Sequence, residues 1–276
     1  QPARDHAPLA LDRARRGALI ARVEAYEIVR PPHAFYAGRT AIALYDRLFD
    51  DDPCEARLDV AVLAPARAPR MKGVRGIQLA PHLVTVRIVD GRPVASPASV
   101  WAQLAGELDV VGLVRLGDAL VRVPRGDRGV PQPAKQLATI AQLKAAADAR
   151  GRRGRARLHE ALALIRVGSM STLETDFHLA ARACGLPEPE LDVEIRGAGG
   201  RLVGIADALY REYAVIVEVE GQHHRTNAAQ WERDIEKHAA YAQLGYALVR
   251  VTQRQIDDGR AAARVLEALR HRGWMG

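Results

Sequence analysis

Three carboxylates in neighbouring strand-like segments are the strongest chemical feature of the sequence. Glu218 and Glu220 lie two residues apart in the apolar run 215–220, so both project from one face of a strand. Asp207 shares a face of the preceding segment, 203–209, with alternate apolar residues, and a hairpin would bring it near Glu218. A buried carboxylate needs a cation or hydrogen-bond donors, and Mg²⁺ and Mn²⁺ prefer oxygen ligands. The cluster therefore predicts a divalent-metal site that activates water against a phosphodiester. An exposed sheet edge with solvated acids is the alternative.

Three further residues are candidates for the same site. Glu174 follows Ser171 by three residues, which is the spacing of a capping box, but it also borders an apolar helix stripe from which it could reach the acidic strands. His224 belongs to the turn that follows the acidic strand. Lys237 lies on the next helix, where it forms either a surface ion pair or a contact with the scissile phosphate.

After residue 155, the sequence pattern predicts the helices and strands that must position these residues. Helical periodicity covers 156–167 and 171–184, three strands cover 191–196, 201–210 and 213–220, and a helix (228–244), a strand (246–251) and a helix (260–270) follow. Trp231, Ile235, His238 and Ala242 form the expected core-facing stripe of the helix 228–244. The pattern predicts an α/β fold with a mixed sheet flanked by helices.

The first half predicts a smaller α+β domain. Helices are expected at 11–26, 39–48, 97–108, 110–121 and 135–149, and strands at 57–63, 76–79 and 83–89. The Gly- and Arg-rich run 151–155 is the clearest break in periodicity, so the domains are expected at 1–150 and 151–276.

The composition and the distribution of charge bear on the partners and the cellular location of the protein. The net charge is +7, of which residues 1–150 carry +6 (22 basic, 16 acidic) and residues 151–276 carry +1 (18 basic, 17 acidic). This distribution is compatible with a polyanionic partner that the first half attracts, but proteins of basic proteomes rich in Arg and Ala carry such a charge without one. No apolar run approaches the length of a membrane span, no signal peptide is visible, and the two cysteines form no redox or metal pair. A protein of the cytoplasm, away from membranes, is expected.

The C-terminal residues resemble a known family. Glu174, Asp207, the run Glu218-Val-Glu-Gly-Gln-His-His224, the pair Arg233-Asp234 and residues 244–250 are similar to the very-short-patch-repair-endonuclease-like domain of unknown function in the PD-(D/E)XK nuclease superfamily. The resemblance covers about residues 169–269. The usual Asp of the family is Glu220 here, and the lysine that the superfamily has two residues after its strand acid is also replaced by Glu220.

The resemblance implies a restriction-endonuclease-like α-β-β-β-α-β core, Mg²⁺ or Mn²⁺, and hydrolysis of a phosphodiester, most simply in DNA, although RNA is not excluded. It implies metal ligation by Asp207 and Glu218, a ligand or base at Glu220, and an outer ligand at Glu174. His224 or Lys237 then orients or deprotonates water.

Other functions remain open from the sequence. The first half is similar to the abortive-infection-type antitoxin region of actinobacterial proteins, on the residues Gly91-Arg-Pro-Val-Ala-Ser-Pro97 and the helix that follows. A catalytically inactive DNA-binding regulator with the nuclease fold is the first alternative. A hydrolase of small phosphoesters ranks last, because no Gly-rich phosphate loop is present. The oligomeric state and the sequence specificity are not predictable.

Overall fold

A computed structural model describes residues 8–45, 57–126, 129–221 and 228–276, with side chains from residue 15 and, after the last gap, from residue 234. The chain forms two compact units. Unit 1 contains Gln1–Leu120 and Leu137–Ile165, and unit 2 contains Val121–Gln136 and Arg166–Gly276. Unit 1 is thus the longer of the two, contrary to the expected smaller first domain. No helix among the described residues is long and apolar enough to cross a membrane.

Unit 1 combines six helices with a five-stranded sheet among its described residues. The helices are α1 (Pro8–Glu27), α2 (Gly38–Leu44), α3 (Pro97–Gln103), α4 (Val110–Val121), α5 (Ile140–Asp148) and α6 (Arg155–Leu164). The strands are β1 (Phe35–Tyr36), β2 (Leu58–Leu63), β3 (Val74–Leu79), β4 (Val86–Val89) and β5 (Arg92–Ala95), in the order β3-β2-β1-β5-β4.

The side chains of N-cap residues determine where two helices of unit 1 begin. Ser96 accepts a hydrogen bond from the Ser99 N–H, and Pro97 begins α3, as the sequence predicts. Thr139 and Gln142 form a capping box, so α5 begins at Ile140 rather than at the predicted Lys135. The expected strand 83–89 is shorter, because a 3₁₀ turn occupies Pro81–Leu83.

Unit 2 contains the predicted order of elements. These are α7 (Thr172–Ala183), β6 (Glu190–Arg196), β7 (Leu202–Tyr210), β8 (Val215–Glu220), α8 (Ala228–Gln243), β9 (Ala247–Thr252), α9 (Gln253–Asp257) and α10 (Arg260–His271). The sheet order is β6-β7-β8-β9, with antiparallel pairing up to β8 and parallel pairing between β8 and β9. The α/β class and the mixed sheet flanked by helices are confirmed; α9 is additional.

The alternation of β8 divides the core of unit 2 between the two sheet faces. Val215 and Val217 pack with Phe177 of α7 and Val265 of α10 on one face. Ile216 packs with the fully buried Tyr241 of α8 on the other face. Glu218 therefore projects toward α8, which supplies its neighbours.

The alternation of β7 breaks close to Asp207. Ala206 and Leu209 belong to the same cluster as Tyr241, although an odd spacing separates them. Ala208 belongs to the opposite cluster. An odd spacing on one face requires a local irregularity of the strand, and Asp207 lies within it.

The division into units differs from the expected boundary at residue 151 in two places. Helix α6 belongs to unit 1, where Arg157 donates hydrogen bonds from Nη1 to the carbonyls of Ala105 (2.8 Å) and Leu108 (3.0 Å). The segment Val121–Gln136 belongs to unit 2, where Arg125 binds acidic residues of β6. The Gly and Arg run marks a break in periodicity, but contacts of distant residues decide where each segment packs.

Candidate active site

The irregularity of β7 brings Asp207 to β8. Ala208 and Val217 are the last paired residues of β7 and β8 toward this end, so Asp207 and Glu218 are the next two facing residues. The Asp207 Oδ2 accepts a hydrogen bond of 2.7 Å from the Val219 N–H. A side chain thus takes the place of a ladder carbonyl, and the Asp207 carboxyl is held against the edge of β8.

Glu218 is 9% exposed and is surrounded by residues of α8. The Lys237 Nζ lies 2.7 Å from its Oε1, and the His238 Nε2 lies 3.4 Å from its Oε2. The buried Tyr241 hydroxyl faces the same carboxylate; burial, followed by the Glu218 charge, raises the pKa of Tyr241. Because a buried carboxylate needs compensation, the lysine makes an anionic Glu218 tolerable in the metal-free protein.

Glu174 lies in the first turn of α7 and close to Asp207. Its backbone N–H donates to the Ser171 Oγ (3.2 Å), and its carboxylate accepts from the Ser171 hydroxyl (2.8 Å) and the Met170 N–H (2.7 Å). The same carboxylate raises the pKa of Asp207, so the two groups are electrostatic neighbours. Ser171 therefore caps α7 through the Glu174 N–H, and the Glu174 carboxylate adds negative charge near Asp207.

The electrostatics of Asp207 are those of a crowded, desolvated acid. Burial first, and then the nearby Glu174 and Glu218 charges, raise the pKa of its carboxyl from 3.8 to about 7. The Val219 hydrogen bond and Lys237 act in the opposite direction. Burial likewise raises the pKa of Glu174, against the two hydrogen bonds that its carboxylate accepts. Such a cluster gains most from a bound cation, which removes the repulsion between its members.

Among the described site residues, Glu220 stands apart from this cluster. The Glu220 carboxylate forms an ion pair and a hydrogen bond with the Arg250 guanidinium of β9. Glu220 is therefore not grouped with Asp207 and Glu218, although it leaves β8 from the same side. His224 lies outside the described residues, and so does the Arg233 side chain.

The residues present fit a divalent cation in their chemistry. Asp207 and Glu218 supply hard oxygen ligands at one end of the sheet, and Glu174 adds charge nearby. Within the described part of the chain, no group of three or more His, Cys, Asp or Glu residues is arranged to hold a metal ion. A cation held by Asp207 and Glu218 would need further ligands such as water, as Mg²⁺ commonly does.

The stability of the metal-free protein is expected to depend on pH through Asp207. Its folded-state pKa of about 7 exceeds the ordinary value near 3.8, so the folded state retains a proton that the unfolded state loses between these values. Stability should therefore fall as pH rises from about 4 to about 7 and then level off. In EDTA, Asp207→Asn should lower the difference in melting temperature between pH 5 and pH 8 by about 5 °C or more. Equal differences in the variant and the wild type would contradict this origin.

The predicted core-facing stripe of α8 is wrong in two of its four residues. Ile235 and Ala242 are exposed, whereas Tyr241 is fully buried and His238 turns toward Glu218. The stripe that faces the sheet therefore includes Lys237, His238 and Tyr241. Gly204 of β7 was a usable signal, because a Cβ at this position would collide with the Tyr241 hydroxyl and lie 2.8 Å from the Lys237 Cδ.

Comparison with known proteins extends over both units but assigns no activity. The chain is 27% identical over 254 residues to an uncharacterized protein of Mycobacterium tuberculosis, in strains CDC 1551 and H37Rv. The match covers 91% of this chain and 87% of the relative. No family model matches the chain, and no solved structure matches it. The aligned length exceeds that of either unit, so the relative shares parts of both.

Proposed function

We propose that this chain is a divalent-metal-dependent endonuclease that hydrolyses phosphodiester bonds, with DNA as its substrate. The observation that carries the proposal is the placement of Asp207 and Glu218 opposite each other, with the Lys237 Nζ 2.7 Å from Glu218. Two acids and a lysine at the end of a mixed sheet are the groups that metal-assisted phosphodiester hydrolysis needs. The resemblance to PD-(D/E)XK nucleases points to the same chemistry.

Each residue has a separate task in this proposal. A bound Mg²⁺ or Mn²⁺ supplies Lewis acidity toward the phosphate and favours deprotonation of water. Asp207 and Glu218 would hold this cation, and the Val219 N–H fixes the orientation of Asp207. Glu174 contributes through water from its capped position. Lys237 lies where it can stabilise charge on a phosphate oxygen or orient the attacking water.

The charge distribution supports a nucleic-acid substrate. Residues 1–150 carry +6 of the net charge of +7, which suits contacts with the phosphate backbone. Unit 1, residues 1–120 and 137–165, also carries 22 basic and 16 acidic residues, so in this proposal unit 1 supplies affinity and unit 2 supplies chemistry. The free, exposed Cys184 is compatible with a reducing compartment, and we propose a cytoplasmic location.

A cleavage assay with defined metals tests the proposal. Supercoiled plasmid, linear DNA and single-stranded RNA are incubated with the full chain in Mg²⁺, Mn²⁺ or EDTA. We expect nicking or linearisation of DNA with Mg²⁺ or Mn²⁺, none with EDTA, and loss of cleavage in Asp207→Asn. Cleavage that survives EDTA or Asp207→Asn would refute the proposed centre, and exclusive cleavage of RNA would correct the substrate.

One observation favours a second function, a DNA-binding regulator without catalysis. Arg250 neutralises Glu220, and Lys237 already neutralises Glu218, so the acids have protein cations as partners. A regulator of this kind should shift DNA in electrophoresis equally with EDTA and with Mn²⁺. It should also show no Mn²⁺-dependent rise in melting temperature, whereas a metal enzyme should show one.

A further inference from the structure

A second strand irregularity lies directly across from Asp207. The register of β6 and β7 pairs Leu191 with Ala208 and Val193 with Ala206, which leaves Asp192 opposite Asp207. Asp192 has a φ of +55°, a left-handed conformation that is unusual for a residue inside a strand. Such a conformation persists only where surrounding contacts hold it.

Arg125 supplies those contacts. Its Nε donates to both carboxylate oxygens of Asp192 (2.8 and 2.9 Å), and its Nη2 donates to the Asp192 carbonyl (2.8 Å). Its Nη1 donates to the Glu194 Oε1 (2.9 Å). The Arg125 and Asp192 side chains are 14% and 15% exposed. One guanidinium therefore binds the backbone and the side chain of the same left-handed residue in a nearly buried position.

The segment that carries Arg125 also packs closely on β7. A Cβ at Gly129 would lie 2.9 Å from the Ile205 Cδ1, and Gly129 has a φ of +75°. Only glycine allows both the conformation and this approach at low cost. The segment that contains Arg125 and Gly129 therefore packs against β6 and β7, the two strands with the irregularities. It precedes the other residues of unit 2 in the sequence.

We infer that Arg125 is a positioning residue for Asp207. By holding Asp192 in its left-handed conformation, Arg125 keeps β6 and β7 from regular pairing at residues 192 and 207. Asp207 is then free to bind the Val219 N–H of β8 instead of continuing the ladder. The inference rests on the proposed function only for its effect on cleavage, because the position of Asp207 can be measured without substrate.

Hydrogen exchange at the Val219 amide gives that measurement, because this N–H donates to the Asp207 side chain. In the full-length, metal-free protein, Arg125→Met should raise the exchange rate of Val219 at least tenfold. Amides in the β8–β9 ladder, such as those of Ile216 and Leu248, should change less than twofold. Arg125→Lys keeps the positive charge but lacks the planar set of guanidinium donors, so it should give an intermediate exchange rate. It replaces the methionine variant in this test if that variant does not fold.

Arg196→Met is the matched control. Arg196 of β6 also donates to the Glu194 carboxylate (2.6 Å), but to Oε2, whereas Arg125 donates to Oε1. The Arg196 side chain is 53% exposed. The control variant should leave Val219 exchange within twofold of wild type. An unchanged Val219 rate in Arg125→Met, or a parallel rise at all β8 and β9 amides, would overturn the inference, since a parallel rise reports only global stability.

Cleavage assays separate this inference from the proposed function. If the wild type cleaves DNA, Arg125→Met should lower kcat about tenfold or more and leave KM nearly unchanged, with partial recovery in Arg125→Lys. If the wild type does not cleave, the proposed function fails, but a selective rise in Val219 exchange still supports the positioning role.

Discussion

Glu218→Gln is expected to lower metal-dependent cleavage by at least about a thousandfold while the fold and DNA binding persist. Glutamine keeps the size of the side chain but removes the charge that holds a hard cation. The site leaves little room for compensation, because Asp207 is the facing carboxylate and Glu220 is paired with Arg250. Initial rates over a range of Mg²⁺ and Mn²⁺ concentrations would measure the loss.

The melting temperature identifies the same role without a substrate. Loss of the Glu218 charge relieves repulsion with Asp207 but removes the partner of Lys237, so the metal-free melting temperature should change by only a few degrees. Mn²⁺ should then raise the melting temperature of the variant less than that of the wild type. Equal Mn²⁺ responses would exclude Glu218 as a ligand.

Glu190→Gln is the control for this substitution. Glu190 belongs to the same sheet, and its carboxylate binds the exposed Arg211 at 2.5 and 2.7 Å, away from the cluster. Both its cleavage rate and its Mn²⁺ response should match those of the wild type. A comparable loss in Glu190→Gln would mean that the rate depends on the net charge of the sheet rather than on a particular ligand.

The sequence predicted the parts of the site that follow from local rules. Alternation in β8 separates Glu218 from Val217 and Val219, and this depends on only six residues. The capping spacing of Ser171 and Glu174 is equally local and is present in the structure. The assignment of these acids to a metal site stays a prediction, because it depends on the binding of a metal ion and not only on the fold of the chain.

Other features depend on contacts between residues far apart in sequence. Nothing near Asp192 indicates a left-handed residue inside a strand, because Arg125, 67 positions earlier, holds that conformation. The exposed Ile235 misled the assignment of the buried face of α8, where Tyr241 packs instead. The two-residue strand β1 is too short to show any periodicity, although it connects β2 and β5 in the unit 1 sheet.

Lys237→Met should separate catalysis from metal binding, because the proposed mechanism gives the lysine opposite effects on the two. Its Nζ lies 2.7 Å from the Glu218 Oε1, so in the metal-free protein it competes with a cation for that carboxylate. Removing it should tighten Mn²⁺ binding about three- to tenfold. If the same ammonium stabilises the transition state, kcat should nevertheless fall about a hundred- to a thousandfold.

Calorimetric Mn²⁺ titration alongside initial-rate measurements tests this opposition, with Lys144→Met as the control. Lys144 forms an exposed ion pair with Asp148 on α5 (2.6 Å), so neither quantity should change there. Weaker Mn²⁺ binding together with lower kcat in Lys237→Met would mean that the lysine maintains the shape of the site. Tighter binding with unchanged kcat would mean that Lys237 only compensates the charge of Glu218 in the metal-free protein, and His224 would become the next candidate for the group that acts on water.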